Sequence, residues 1–125
     1  MLYRRIVIEV GSRMRKQPAP PHVVFQSLIE PDRDPYRPWL DLLDDEQRPR
    51  VVRRQDPGML TWSSLWSKRP DAIVEFVLAP SSDGGTALRW TLYVEEPVPS
   101  DALVGHLRKR LNQLINANLR FTFGQ

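Results

Sequence analysis

Hydrophobic and polar positions alternate from Arg4 to Met14, with Ile6, Ile8 and Val10 on one side and Val7, Glu9 and Gly11 on the other. A period of two with β-branched enrichment predicts a strand with one wetter face. Pro18-Ala19-Pro20-Pro21 then stops any ladder, because proline lacks the amide donor, and its fixed φ can seat the first turn of a helix. Val24, Phe25, Leu28 and Ile29 follow at helical spacing, and Pro31 ends a run of two or three turns. Residues 31 to 38 are a proline-rich connection. Trp39, Leu42 and Leu43 predict a second short helix, with Asp41, Asp44, Asp45 and Glu46 facing outward.

The period returns to two from Val51 and Val52. Asp56-Pro57-Gly58 supplies turn chemistry, after which Leu60, Trp62, Ser64 and Trp66 share one side of residues 59 to 67. Met59, Thr61, Ser63, Leu65 and Ser67 take the other. Beyond the Arg69-Pro70-Asp71 turn, Val74, Phe76 and Leu78 alternate with Ile73, Glu75 and Val77. A hairpin is expected at Pro80 to Gly85. The clearest strand follows, with Leu88, Trp90, Leu92 and Val94 on a wholly apolar face.

Pro97 and Pro99 close that strand, and Ser100 is placed to cap a helix whose first turn carries Asp101. At 100° per residue, Leu103, Val104, Leu107, Leu111, Leu114 and Ile115 form one stripe, with Arg108, Asn112 and Asn116 on its edges or the far side. Asn118 falls near the middle of the extended stripe, where a buried amide needs partners. Gly105 faces outward, at a close neighbour or a bend. Such a stripe gains most of its stability by burial against another surface, and the sheet is that surface. The order predicts an α+β domain over residues 1–125: five antiparallel strands, two short helices after the first strand and a long terminal helix.

Composition adds limits. A chain of 125 residues with 41% hydrophobic and 26% charged positions is of ordinary globular make-up, so one folded domain is expected. The absence of cysteine removes thiolate and disulfide chemistry and fits a reducing compartment. The N-terminus reads as a strand and not a secretion signal, and no stretch is long enough to span a bilayer, which makes a cytoplasmic protein the expectation. Fifteen of the 18 basic residues are arginine, yet 15 acidic residues offset them to a net +3. That balance is too modest for a dedicated nucleic-acid binder. Solvated arginines on outward faces account for it more simply.

Candidate chemistry is sparse. Metal binding lacks its ligand spacing, and Gly84-Gly85 lacks the Lys-Ser/Thr of a phosphate loop. No cofactor is implied. His106 lies off the apolar stripe and His22 stands beside prolines. A Ser-His-Asp set from Ser63 or Ser64, His106 and Asp101 has no local signature to support it. The indoles of Trp62, Trp66 and Trp90 admit two readings: the lining of an aromatic pocket oriented by Ser64, or simply core.

Three segments, APPHVVFQSLIEPDRDPYRPWL, GGTALRWTLYVEEP and LRKRLNQLINANL, together resemble the START-like (SRPBCC) helix-grip superfamily, in particular its polyketide cyclase/dehydrase and lipid-transport branch. The resemblance rests on Ala19-Pro20 with Phe25, Pro31-Asp32 in inverted order, Trp39, and Gly84-Gly85-Thr86 with Leu88 and Trp90. It implies a curved antiparallel sheet wrapped around the C-terminal helix, with an apolar ligand between them. Two departures stand out: the family commonly has six or seven strands, and here bulky rings occupy inward positions.

The resemblance implies binding of a small lipid- or polyketide-like molecule by Trp62, Ser64, Trp66, Phe76, Trp90, Leu107, Leu111, Ile115 and Asn118, with Ser64 and Asn118 setting its orientation. A protein-interaction module using an arginine-rich edge, Arg48 to Arg54, is the second expectation. An aromatase/cyclase-type enzyme is the third, for want of a general acid or base inside. The oligomeric state has no signature in the sequence.

Overall fold

A computed structural model of the chain describes residues 6 to 124; the predicted start of the first strand at Arg4 and Arg5 lies outside the described residues. The elements are β1 (Val7–Gln17), α1 (Pro21–Ile29), β2 (Val51–Gln55), β3 (Met59–Trp62), β4 (Ile73–Pro80) and β5 (Thr86–Glu95). The C-terminal helix follows in three parts: α2 (Asp101–Leu111), a π-helical stretch (Asn112–Leu119) and a last turn, α3 (Arg120–Thr122). The strands form one curved antiparallel sheet in the order β1-β5-β4-β3-β2.

The alternation of apolar residues sets the faces. Phe76 pairs with Trp90, Val74 with Leu92 and Leu78 with Leu88 across β4 and β5, and all six are buried. Opposite them lie Leu107, Leu111, Leu114, Ile115 and Leu119 of the C-terminal helix, also buried. Helix α1 begins with Pro21 in its first turn and buries Val24, Phe25 and Leu28. The Ser100 hydroxyl accepts the Leu103 amide at 3.2 Å, the cap that its position predicted. At the β4–β5 hairpin Gly84 adopts φ 87°, a conformation open chiefly to glycine.

Several expectations are corrected. The second short helix does not form: between α1 and β2 the chain runs as turns and extended backbone, because side chains from elsewhere take its polar groups. Asn118 donates to the Trp39 carbonyl at 3.2 Å and Arg110 to the Asp41 carbonyl at 2.9 Å. Glu46 does not face outward with Asp41, Asp44 and Asp45; its side chain is fully buried against Arg110.

The strand predicted over residues 59 to 67 stops at Trp62, where Ser64 turns the chain. Leu65, placed on the outer side by strict alternation, therefore enters the core. Asn116 is buried, not peripheral. The wider π turn uses more residues per revolution, so a projection at 100° per residue drifts past Asn112.

Gly105 has no close neighbour. The close approach falls on Gly11, at a register shift in β1: the Arg108 side chain crosses it, so a Cβ there would lie 2.8 Å from Arg108 carbons. No helix among the described residues is long and apolar enough to cross a membrane.

Candidate functional site between sheet and C-terminal helix

Seven of the nine residues expected to hold a ligand gather in one region. Trp62, Trp66, Phe76, Trp90, Leu107, Leu111 and Ile115 are all buried within one apolar cluster. Their rings pack on one another: Trp62 meets Phe76 edge to face at 4.8 Å between centroids, and Trp39 stacks on Trp62 at 6.1 Å. The indole nitrogens of Trp62, Trp66 and Trp90 each have an acceptor. Trp62 donates to the Leu28 carbonyl (2.9 Å), Trp66 to Glu46 (3.2 Å) and Trp90 to Asn112 (3.1 Å). A buried indole N–H without such a partner would be costly, so these bonds also set each ring's orientation.

Ser64 and Asn118 occupy different settings. The Ser64 hydroxyl accepts the Trp66 amide at 2.9 Å and donates to the Arg69 carbonyl at 2.7 Å, holding the turn after β3. Asn118 is half-buried on the π-helical stretch, with its amide nitrogen on the Trp39 carbonyl.

Two clefts meet the surface beside this cluster. One, of about 810 Å³, is lined by Tyr36, Arg37, Pro38, Ala117, Asn118, Phe121, Thr122 and Gly124. Its rims carry Tyr36, 93% exposed, and Phe121, 77% exposed. The other, of about 540 Å³, runs along α1 and has Trp39 in its wall. Both clefts include Arg37 and Thr122, which are joined by a hydrogen bond of 3.2 Å from Arg37 to the Thr122 carbonyl. No local signal marked Tyr36 or Phe121, because their nearness depends on where the C-terminal helix ends.

The histidines and the Ser-His-Asp candidates stand apart from one another. His22 and His106 are exposed, and Asp101 is exposed at the helix start, while Ser64 is buried in its turn. Along the basic edge, Arg48 pairs with Asp32 at 2.9 Å, Arg54 binds Asp56, and the Arg54 guanidinium lies 5.5 Å from the Phe25 ring centre.

No family model matches the sequence, and no curated protein does. Solved structures match its fold. CalU16 from Micromonospora echinospora is 19% identical over 96% of this chain and 84% of its own, with a TM-score of 0.66. A protein from Nitrosospira multiformis is 15% identical over 92% and 96%, at 0.68. Aha1 from Colwellia psychrerythraea, solved as a dimer, is 10% identical over 94% and 96%, at 0.62. At such identities the likeness is one of backbone architecture, and it agrees with the element order and sheet topology: the chain has the START-like helix-grip fold.

Proposed function

We propose that the chain acts as one START-like domain in the cytoplasm and binds a small apolar molecule, lipid- or polyketide-like, between sheet and C-terminal helix. The supporting observation is a run of contacts that leads from the larger cleft to the aromatic cluster. Exposed Tyr36 and Phe121 flank the larger cleft, Asn118 in that cleft holds the Trp39 backbone, Trp39 stacks on Trp62, and Trp62 abuts Phe76. Superfamily precedent points the same way, since helix-grip proteins commonly bind hydrophobic ligands.

On this reading the ligand enters by the cleft and displaces Trp39, which stands on a segment without regular structure. Its apolar body then rests on Trp62, Trp66, Phe76, Trp90, Leu107, Leu111 and Ile115. Burial of apolar area drives the process at about 25 cal/mol per Å². Asn118 and the remaining lone pair of Ser64 help to set orientation.

The interaction-module reading ranks second, because Arg48 and Arg54 of the basic edge already have acidic partners within the chain. A cyclase reading ranks third, because the Glu46 carboxylate that reaches the Trp66 indole is held in an ion pair by Arg110.

Titration of intrinsic tryptophan fluorescence with a panel of fatty acids and aromatic polyketides tests the proposal. A saturable change in emission is expected, as the indoles exchange ring contacts for ligand. A flat response across the panel at micromolar protein removes it.

A further inference from the structure

The polar groups beneath the π-helical stretch are oriented by a chain of necessity. The Trp90 indole N–H can only donate, so Asn112, 3.1 Å away, must present its carbonyl oxygen. Asn116 shares that oxygen at 3.0 Å and must present its amide nitrogen, which leaves its own Oδ1 facing elsewhere. The Ile115 carbonyl can only accept, so Gln17 must turn its amide nitrogen toward it at 3.2 Å. Its Oε1 is left over in the same way.

Gln17 is 1% exposed and Asn116 7% exposed, and neither leftover oxygen has a partner within the protein. Amide flips do not relieve either one, since each flip would set two acceptors or two donors face to face. Gln17 closes β1 and reaches the carbonyl of the residue before Asn116, so the two residues lie along one stretch of the helix–sheet seam. Leaving buried acceptors unpaired is costly, and π-helical turns recur at functional sites.

We infer that Gln17 Oε1 and Asn116 Oδ1 form an acceptor-only polar subsite, and that the apolar ligand carries a neutral hydrogen-bond donor, a hydroxyl or phenol, in place of a carboxylate. This inference rests on the apolar-binding reading above and sharpens it. A hydroxyl donates a hydrogen bond to one of these oxygens. A carboxylate brings negative charge and no donor against two carbonyl dipoles, and is disfavoured.

Isothermal titration calorimetry with 2-naphthol, 2-methoxynaphthalene and 2-naphthoate tests it on the wild-type chain. The naphthol should bind about tenfold more tightly than its methyl ether, with the naphthoate weakest. In Asn116→Leu and in Gln17→Met the ratio of naphthol to ether affinity should fall to about threefold or less.

Equal binding of naphthol and ether, or naphthoate matching naphthol, overturns the subsite and leaves the apolar-binding reading standing. No binding by any of the three removes both. A preference that persists in both variants assigns the donor to other groups and overturns the role of these oxygens. Where a variant fails to fold, the wild-type comparison alone can still overturn the subsite.

Discussion

Arg110 on the C-terminal helix and Glu46 on the segment before β2 meet as a buried two-pronged ion pair, with Nε to Oε2 at 2.8 Å and Nη2 to Oε1 at 2.7 Å. Their side chains are 7% and 0% exposed. The Leu43 amide and the Trp66 indole also donate to the carboxylate, and Arg110 reaches Gln113 and the Asp41 carbonyl. The pair ties the irregular segment across the helix, where a predicted short helix would have pointed Glu46 at solvent.

Breaking this pair from one side should cost about 3–5 kcal/mol, since it leaves an uncompensated buried charge. Glu46→Gln and Arg110→Met, measured by urea unfolding, should each show it. The double variant should lose less than the sum of the two. An additive double variant would mean that the two groups do not act as a pair.

Acid should reveal the same pair. Burial alone would raise the Glu46 pKa, but hydrogen bonds from Arg110 and the Leu43 amide, the guanidinium charge and the Trp66 indole outweigh it and hold the group below its ordinary value. A depressed folded-state pKa contributes stability in full above the unfolded value, about 4.3, and the contribution is lost as pH falls through the folded value. Wild-type stability should therefore drop more steeply below about pH 4 than that of Glu46→Gln, in unfolding curves taken at stepped pH.

Glycine positions should separate by what stands opposite. A Cβ at Gly85 would lie 2.4 Å from the Gln17 backbone carbonyl, which cannot move without shifting β1. Gly85→Ala should destabilise by about 1–3 kcal/mol. At Gly11 the neighbour is the flexible Arg108 side chain, so Gly11→Ala should cost less, under about 1 kcal/mol. Thermal or urea unfolding orders the two.

Ser64→Ala removes a buried hydroxyl that both donates and accepts within one turn, and should cost about 1–3 kcal/mol. An unchanged midpoint would mean that the turn does not need it.

Tyr36→Ala and Phe121→Ala remove exposed rings, so stability should stay within about 0.5 kcal/mol of wild type. If the larger cleft is the ligand's mouth, the double variant should slow the fluorescence response to a binding ligand in stopped-flow mixing. Unchanged association kinetics would move the entrance elsewhere.

Local periodicity carries most of the architecture. The alternation in β4 and β5, the stripe from Leu107 to Ile115, the Ser100 cap and the Gly84-Gly85 hairpin all depend on residues within a few positions of one another, and each is legible in the chain itself. The aromatic cluster is legible too, because inward positions of a strand and the stripe of a helix follow from spacing. Where Trp39, Leu65, Glu46 and Asn116 lie is decided otherwise. Trp39 finds Trp62, Glu46 finds Arg110, and the widened turn after Leu111 rotates Asn116 inward to serve the Trp90 indole through Asn112.

Those partners are distant in the chain, and a buried donor or ion obliges its acceptor only once the backbone has brought them together. The sequence by itself thus determined which faces are apolar and in what order the elements run. Tertiary structure alone decided which polar atoms are consumed inside the protein and which, as at Gln17 and Asn116, are left with an unused valence, because hydrogen bonding is settled by distance and direction in space.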